Sequence, residues 1–315
     1  LLLFSFPKGI CFLHQESTMN LRLTTAAALF ALSTSAFALD NHFERTLTVS
    51  AQPDVYVANG SGNITIHSGA GNQVQVIGHV RTGWHIGWSS DGWSDGSTSS
   101  GTKSRIDRIL AAPPIQQEGN NIKIGFGTDH DLYNNISIDY DISVPDATAL
   151  NLHSGSGDLT VDSDVRYLSA STGSGNIHAT QVKGASELAT GSGDIQLDTE
   201  SLAEIKLRSG SGNIRLRGLA SSLAARTGSG DITADLHLTG AANLATGSGN
   251  VRMHLGSDAH FDLESSTGSG SIHIDYPNAP RQDDHTRHHL TASINGGGQP
   301  LEVRTGSGDI TIDSH

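Results

Sequence analysis

The chain has 315 residues, 32 of them acidic and 19 basic, for a formal net charge of −13 at pH 7. That balance argues against nucleic acid or an anionic membrane as the partner. A single cysteine, Cys11, excludes a disulfide framework, so stability has to come from a packed core.

Residues 1–18 (LLLFSFPKGICFLHQEST) precede the first methionine and are expected to be upstream sequence translated in error. Met19 opens MNLRLTTAAALFALSTSAFA, in which Arg22 is a positive n-region, Leu23 to Leu32 an apolar run and Ala36-Phe37-Ala38 an A-x-A site. This is the layout of a secretory signal peptide over residues 19–38, cleaved after Ala38. The run is too short for a good membrane span, and no other segment approaches one. Without residues 1–38 the chain loses Cys11, Lys8, Arg22 and Glu16, which leaves 17 basic and 31 acidic residues. No cysteine follows the apolar run, which argues against a lipid anchor. The expectation is an exported protein, periplasmic or at the cell surface.

Residues 39–315 read as one elongated domain, irregular up to about residue 145 and regular over 146–315. Gly-Ser-Gly begins at residues 60, 155, 173, 191, 210, 228, 247, 268 and 306. From 155 to 247 the steps are 18 or 19 residues, followed by 21 and 38. The step of 38 reads as two periods, with NGGG at Asn295 to Gly298 near a missing corner, and the first gap of 95 reads as five degenerate periods. Three positions after the first Gly come Asn63, Asp158, Asn176, Asp194, Asn213, Asp231, Asn250, Ser271 and Asp309. The next position is always aliphatic, from Ile64 to Ile310, and the second one after that is apolar too. Apolar residues also sit three and five places before most triplets. Period-two alternation is the mark of a half-buried strand. Each period is therefore strand, Gly-Ser-Gly corner, strand and a looser return. One such unit cannot bury its apolar face alone, whereas a stack can. The prediction is an all-β protein, a parallel β-solenoid (β-helix) with 18–19-residue rungs, a right-handed coil and weak helical signals throughout.

Two segments interrupt the pattern. Residues 82–104 form a Gly/Ser-rich loop that carries Trp84, Trp88 and Trp93. Exposed aromatics stack on sugars and anchor interfaces, so these three are candidate partner-binding residues, with a cap over the end of the stack as the alternative. Residues 277–290 form a polar excursion that contains DDHTRHH.

The stretches TLTVSAQPDVYVANGSGNITI (46–66), YDISVPDATALNLHSGSGDLTV (140–161) and LEVRTGSGDITI (301–312), with the serial TGSGDI and TGSGNI corners, resemble the bacterial DUF4097 group, a family labelled putative adhesin and related to the head-GIN (DUF2807) group. The resemblance spans nearly all of residues 43–313. It implies a secreted or envelope-associated β-solenoid with no established enzymatic activity. The tryptophan loop departs from the family's pattern.

Several chemistries can be weighed on the residues. The corners are not phosphate loops, because a β-branched strand follows the glycines where a helix or a Lys is needed. They are poor calcium sites, because one acidic residue per rung, often replaced by Asn, supplies too few oxygens. A structural corner fits better: Gly bends tightly and Asx side chains bond nearby amides, so stacked Asn and Asp can form a ladder. Asp283, Asp284, His285, His288 and His289 are weak metal candidates in a loop, and Asp129-His130-Asp131 is weaker still. No resident metal or cofactor is expected. An acidic, discontinuous stripe (His67, Asp162, Thr180, Asp198, Arg217, Asp235, His254, Asp275, Asp313) reads as a solvated face. Thr172, Thr190, Thr227, Thr246, Thr267 and Thr305 recur before the corner, but the outward strand positions do not repeat them as an ice-binding array would. The leading expectation is a non-catalytic, adhesin-like envelope interaction module that contacts an unidentified envelope protein or glycan through a long flat face. The alternatives are a β-helical carbohydrate-active enzyme and a periplasmic metal-binding or envelope-stress protein.

Overall fold

The computed structural model describes residues 41–82, 100–127, 129, 131–277, 279 and 287–314, which lie in one compact unit, Asn41–His315. Sequence alternation becomes burial alternation. Ile195–Thr199 alternates buried and half-buried side chains, and Ala185–Thr190 follows the same period. Successive strand residues point to opposite faces, so a single register puts the large aliphatic residues of these strands, Leu188, Ile195 and Leu197, on the side away from water.

The strands before each corner form one sheet of twelve and those after it form another. The post-corner sheet runs, in space, His42–Thr48, Gln73–Thr82, Ile136–Val144, Ile64–Ser68, Leu159–Asp162, Ile177–Val182, Ile195–Thr199, Ile214–Ala220, Ile232–Leu238, Val251–Leu255, Ile310–Ser314, Ile272–Asp275. The pre-corner sheet runs Ile115–Glu118, Asn121–Ile124, Asp54–Ser61, Thr148–Ser156, Val165–Thr172, Ala185–Thr190, Glu204–Ser209, Ser222–Thr227, Ala242–Thr246, Gln299–Ser307, Phe261–Ser269, His289–Ile294. Outer strands His42–Thr48, Gln73–Thr82, Ile115–Glu118 and His289–Ile294 pair antiparallel. The other ten strands of each sheet stack in parallel as ten rungs, so the β-solenoid is the observed fold. Ile64, Leu159, Ile177, Ile195, Ile214, Ile232, Val251 and Ile310 lie over one another, none more than 1% exposed. They face Val57, Leu152, Ala170, Leu188, Leu207, Ala225, Leu244 and Val303 across the core.

The order of the rungs differs from the sequence expectation. The gap of 95 residues holds no five degenerate rungs. Ile64 pairs with Leu159 and Val55 with Leu150, so the rung at 54–68 stacks directly on the rung at 148–162. The chain between them leaves the stack and returns on the far side of 54–68, through Asn121–Ile124 and Ile136–Val144. The first rung in sequence is thus the second in space. The C-terminus mirrors this. Phe261–Ser269 and Ile272–Asp275 form the outermost rung, and the last rung in sequence, Gln299–Ser307 with Ile310–Ser314, lies between it and Ala242–Thr246 with Val251–Leu255. Among the described residues of the 38-residue step there is no further corner. Asn295, Gly296 and Gly297, with φ of 51°, 91° and 80°, turn the antiparallel strand His289–Ile294 back into the stack. Irregularity is therefore shared by both ends and not confined to residues before 145. The cause is the edge problem: a bare end rung exposes unpaired backbone groups, and both ends are closed by chain that doubles back.

One helix, Ser100–Ala111, was not expected, and it takes in the last residues of the anticipated 82–104 loop. Ile106 and Ile109, three residues apart on one face, are 4% and 0% exposed within the core cluster. At the other end Phe261 and Tyr276 meet edge to face with ring centroids 5.4 Å apart. Burial pushes the Tyr276 phenol up to about 12, and its hydroxyl donates to the Gly256 carbonyl.

Candidate functional site

The site is built upward from the corner. A Cβ on Gly193 would come 1.9 Å from the Gly175 carbonyl oxygen of the rung below, so only glycine lets the rungs close. Two ladders then tie corner to corner. Inside, Thr190 Oγ1 donates to Gly175 O at 2.8 Å and accepts from Gly193 N–H at 3.1 Å. Thr172, Ser209 and Thr227 repeat both bonds. Thr246, Thr267 and Thr305 repeat the donor bond to the neighbouring rung. The recurrent threonines, about 5–6% exposed, are therefore internal braces and present no ice-binding array.

The outer ladder is the expected Asx ladder. Each Asx Oδ1 accepts the backbone N–H of the next rung's corner residue, at 2.7–3.0 Å. The chain of bonds runs Asp139, Asn63, Asp158, Asn176, Asp194, Asn213, Asp231, Asn250, Asp309, Ser271. Taken in this spatial order, Asp and Asn alternate without exception, and Ser271 ends the row. Rungs lie ~4.8 Å apart, so neighbouring aspartates would repel at that distance, and alternation doubles it. The Ser271 amide and hydroxyl hold the Asp309 carboxyl below the usual range.

The same two-rung period extends outward across the strand that follows. Four of the five rungs with a corner Asp carry Asp162, Asp198, Asp235 and Asp313 four residues later, with neutral Thr160, Gln196, Thr233 and Thr311 between; the fifth, the end rung of Asp139, carries Asp141 and Ser143. Rungs with a corner Asn carry Thr65 and His67, His178 and Thr180, Arg215 and Arg217, or Arg252 and His254 at the equivalent positions. All these side chains point outward and are exposed or half-buried. Contacts between rungs follow from the alternation. Arg215 lies 3.6 Å from Asp194, His67 lies 3.7 Å from Asp141, and His254 pairs with Asp313. Thr180 Oγ1 donates to Asp162 at 2.9 Å. The stripe that looks discontinuous along the sequence is thus an alternation of acidic with basic or neutral residues in space from His67 to Asp313, and it ends where Asp275 stands beside Asp313. From Asn63 to Asn250 it could have been read from the sequence. At 271 and 309 it fails until the swapped order of the last two rungs is known.

Trp84, Trp88, Trp93, Asp283, Asp284, His285 and His130 lie outside the described residues. His288 and His289 are exposed, and His289 opens the capping strand. Asp129 sits 3.5 Å from Arg108, and Arg105 donates to the Asp131 carbonyl at 3.1 Å, which ties this turn to the helix. Among the described residues no group of three or more His, Cys, Asp or Glu could hold a metal ion, and no helix is long and apolar enough to cross a membrane. One recess among the described residues is a slot of about 20 Å³ bordered by Leu238, Leu255, His260 and Phe261. Another, of about 290 Å³, is lined by Thr46, Gly69, Ala70, Gln73, Gln75 and Ser143, none of which titrates. Neither sets two carboxylates opposite one another, as glycoside hydrolysis requires.

The model of the family described as Toastrack DUF4097 matches residues 115–313. No curated protein matches the chain. Among solved structures, it is similar to a putative adhesin from Bacteroides fragilis NCTC 9343, with 16% identity, 87% of this chain and 97% of that one covered, and a TM-score of 0.41. It is similar also to a putative cell adhesion protein from Clostridium sporogenes ATCC 15579, with 12% identity, 87% and 100% covered, and a TM-score of 0.27. A third is a putative adhesin from Parabacteroides distasonis ATCC 8503, with 11% identity, 87% and 97% covered, and a TM-score of 0.27.

Proposed function

The chain belongs to the Toastrack DUF4097 family, and on that premise we propose that it is a non-catalytic, exported, adhesin-like module that works by surface contact. The observation that carries this reading is the outward face of the post-corner sheet: ten rungs of polar and charged side chains at fixed spacing, held by two hydrogen-bond ladders. A face of this kind offers a long row of equivalent contacts, and rigid strands position them before any partner arrives. The signal-peptide pattern at residues 19–38 supports a location beyond the inner membrane, where an envelope protein or glycan is within reach. The lining of the two recesses supports contact over turnover.

The test pairs adhesion with turnover. Beads coated with the protein are expected to retain bacterial cells or isolated envelopes under flow, and soluble protein is expected to compete. Acidic and neutral polysaccharides incubated with the protein are expected to stay intact. Sustained hydrolysis or elimination on any of them, or no retention above bare beads, would overturn the reading.

A further inference from the structure

The charge alternation is palindromic along the stack. Counted from the N-terminal cap, the outward triplets are 139–143, 63–67, 158–162, 176–180, 194–198, 213–217, 231–235, 250–254, 309–313 and 271–275. We infer that the partner of this face is the same face of a second copy, docked with stack axes antiparallel about a dyad that runs along the strands between rungs five and six. This rests on the reading of the face as a contact surface, and it names the partner.

The dyad sets rung five against six, four against seven, and so on to one against ten, with each column facing itself. Because the period is two and the rungs number ten, every acid rung then meets a cation rung. Asp198 faces Arg217, Asp162 faces His254, His67 faces Asp313, and Asp141 faces His273. In the corner column each Asp faces an Asn, except Asp139, which faces Ser271. No acid opposes an acid and no cation a cation at any position. The parallel arrangement, with its dyad along the stack, sets each rung on itself and brings Asp194 against Asp198 of the same rung. Like-charge contact excludes it. At the central rungs Arg215 lies 3.6 Å from Asp194 within the chain, and Arg217 is exposed beside its register partner Asp198. The size also fits. Ten rungs at ~4.8 Å and five residues at ~3.3 Å give roughly 800 Å² per copy, the area of a standard stable interface. Two copies on apposed surfaces would thus cross-link them.

Acids outnumber arginines on this face, and histidines fill further positions beside the carboxylates. His67 lies between Ser143 and Asp162 and 3.7 Å from Asp141, and His254 lies between Asp235 and Asp313. Association should weaken with salt, as contacts between charges at this range are screened.

Sedimentation velocity on the full chain at pH 6 and low salt decides the matter. A concentration-dependent dimer is expected, dissociating at about 0.5 M salt. Arg217→Asp alone and Asp198→Arg alone should each weaken self-association at least tenfold, because each opposes like charges at the dyad. An equimolar mixture of the two should dimerise again, since acid then faces cation at both central positions. Thr180→Arg places a cation opposite Asp235 and between Asp162 and Asp198 of its own chain, so it should tighten the dimer without loss of fold. A wild-type chain that stays monomeric, or dimers indifferent to these substitutions, would overturn the inference. Cell retention by such a monomer would leave the adhesin reading intact with a different partner.

Discussion

The two outward faces of the stack share one core and one rung spacing, yet they handle charge differently. On the post-corner face acidic rungs alternate with rungs of basic or neutral residues, up to Asp275 beside Asp313 at the end. On the pre-corner face Arg208 lies directly beside Arg226, and Glu264 beside Glu302. There the charges are settled by local pairs, such as Arg304 with Glu264 and Arg208 with Glu187. Parallel in-register stacking places like on like by default, so a face that alternates over nine of its ten rungs carries an additional constraint. The Asx ladder accounts for the corner column, where side chains are fixed by their bonds to backbone amides. It does not account for Asp162, Asp198, Asp235 and Asp313, which follow the same period two columns farther out. The difference marks the post-corner face as the one with a second role.

The largest effect should come from what both faces share. Gly193→Ala drives a Cβ into the Gly175 carbonyl and pushes the rungs apart. A loss of about 3 kcal/mol or more is expected in urea unfolding, in the range kept for backbone clashes. Next comes the inner brace. Thr227→Val leaves Gly230 N–H and Gly212 C=O without their hydroxyl partner, at a cost of about 1–3 kcal/mol. The comparison itself is broken by Asn213→Asp, which sets three carboxylates in a row between Asp194 and Asp231. A loss of about 1–2 kcal/mol at pH 7 is expected from repulsion at ~4.8 Å, shrinking as the pH falls through the carboxylate range. On the other face Arg226→Glu should act in the opposite sense and add a few tenths of a kcal/mol, about the worth of one exposed pair. The smallest effect concerns Asp309. Its folded pKa is lowered, so its contribution is full above the unfolded value near 4 and is lost as pH falls through the folded value. Hydrogen exchange at the Ser271 amide should therefore speed up below about pH 4, and Asp309→Asn should remove that pH dependence.

Much of this was legible in the sequence. The alternation Asp194, Ile195, Gln196, Leu197, Asp198 already states which side chains are buried, and Gly-Ser-Gly at 18 or 19 residues states the rung. The Asx ladder was legible too, because an Asx after a tight glycine bend has few partners other than neighbouring amides. The order of the rungs was not. It depends on which edges the end segments cover, a long-range pairing that no local pattern carries. The ladder's polarity, Asp against Asn, holds a clue: in plain sequence order Asp139 would stand beside Asp158, and Asp141 near Asp162. Inserting Asn63, Thr65 and His67 between them restores alternation. The helix at 100–111 was obscured because only Ile106, Ile109 and Leu110 mark its apolar side.

The account turns on that inserted rung. Thr65 and Thr160 are 95 residues apart in sequence but register partners in the stack. In a Cys11→Ser background, the pair Thr65→Cys and Thr160→Cys should close to an intramolecular disulfide on mild oxidation, since parallel neighbours sit within the ~4.4–6.8 Å Cα range that a disulfide spans. Mass spectrometry of the peptides should show the cross-link as the dominant product at high dilution. Two thiols left free in the folded protein would contradict the inserted rung, because intervening rungs would hold them about 24 Å apart, and the alternating face would no longer exist as described.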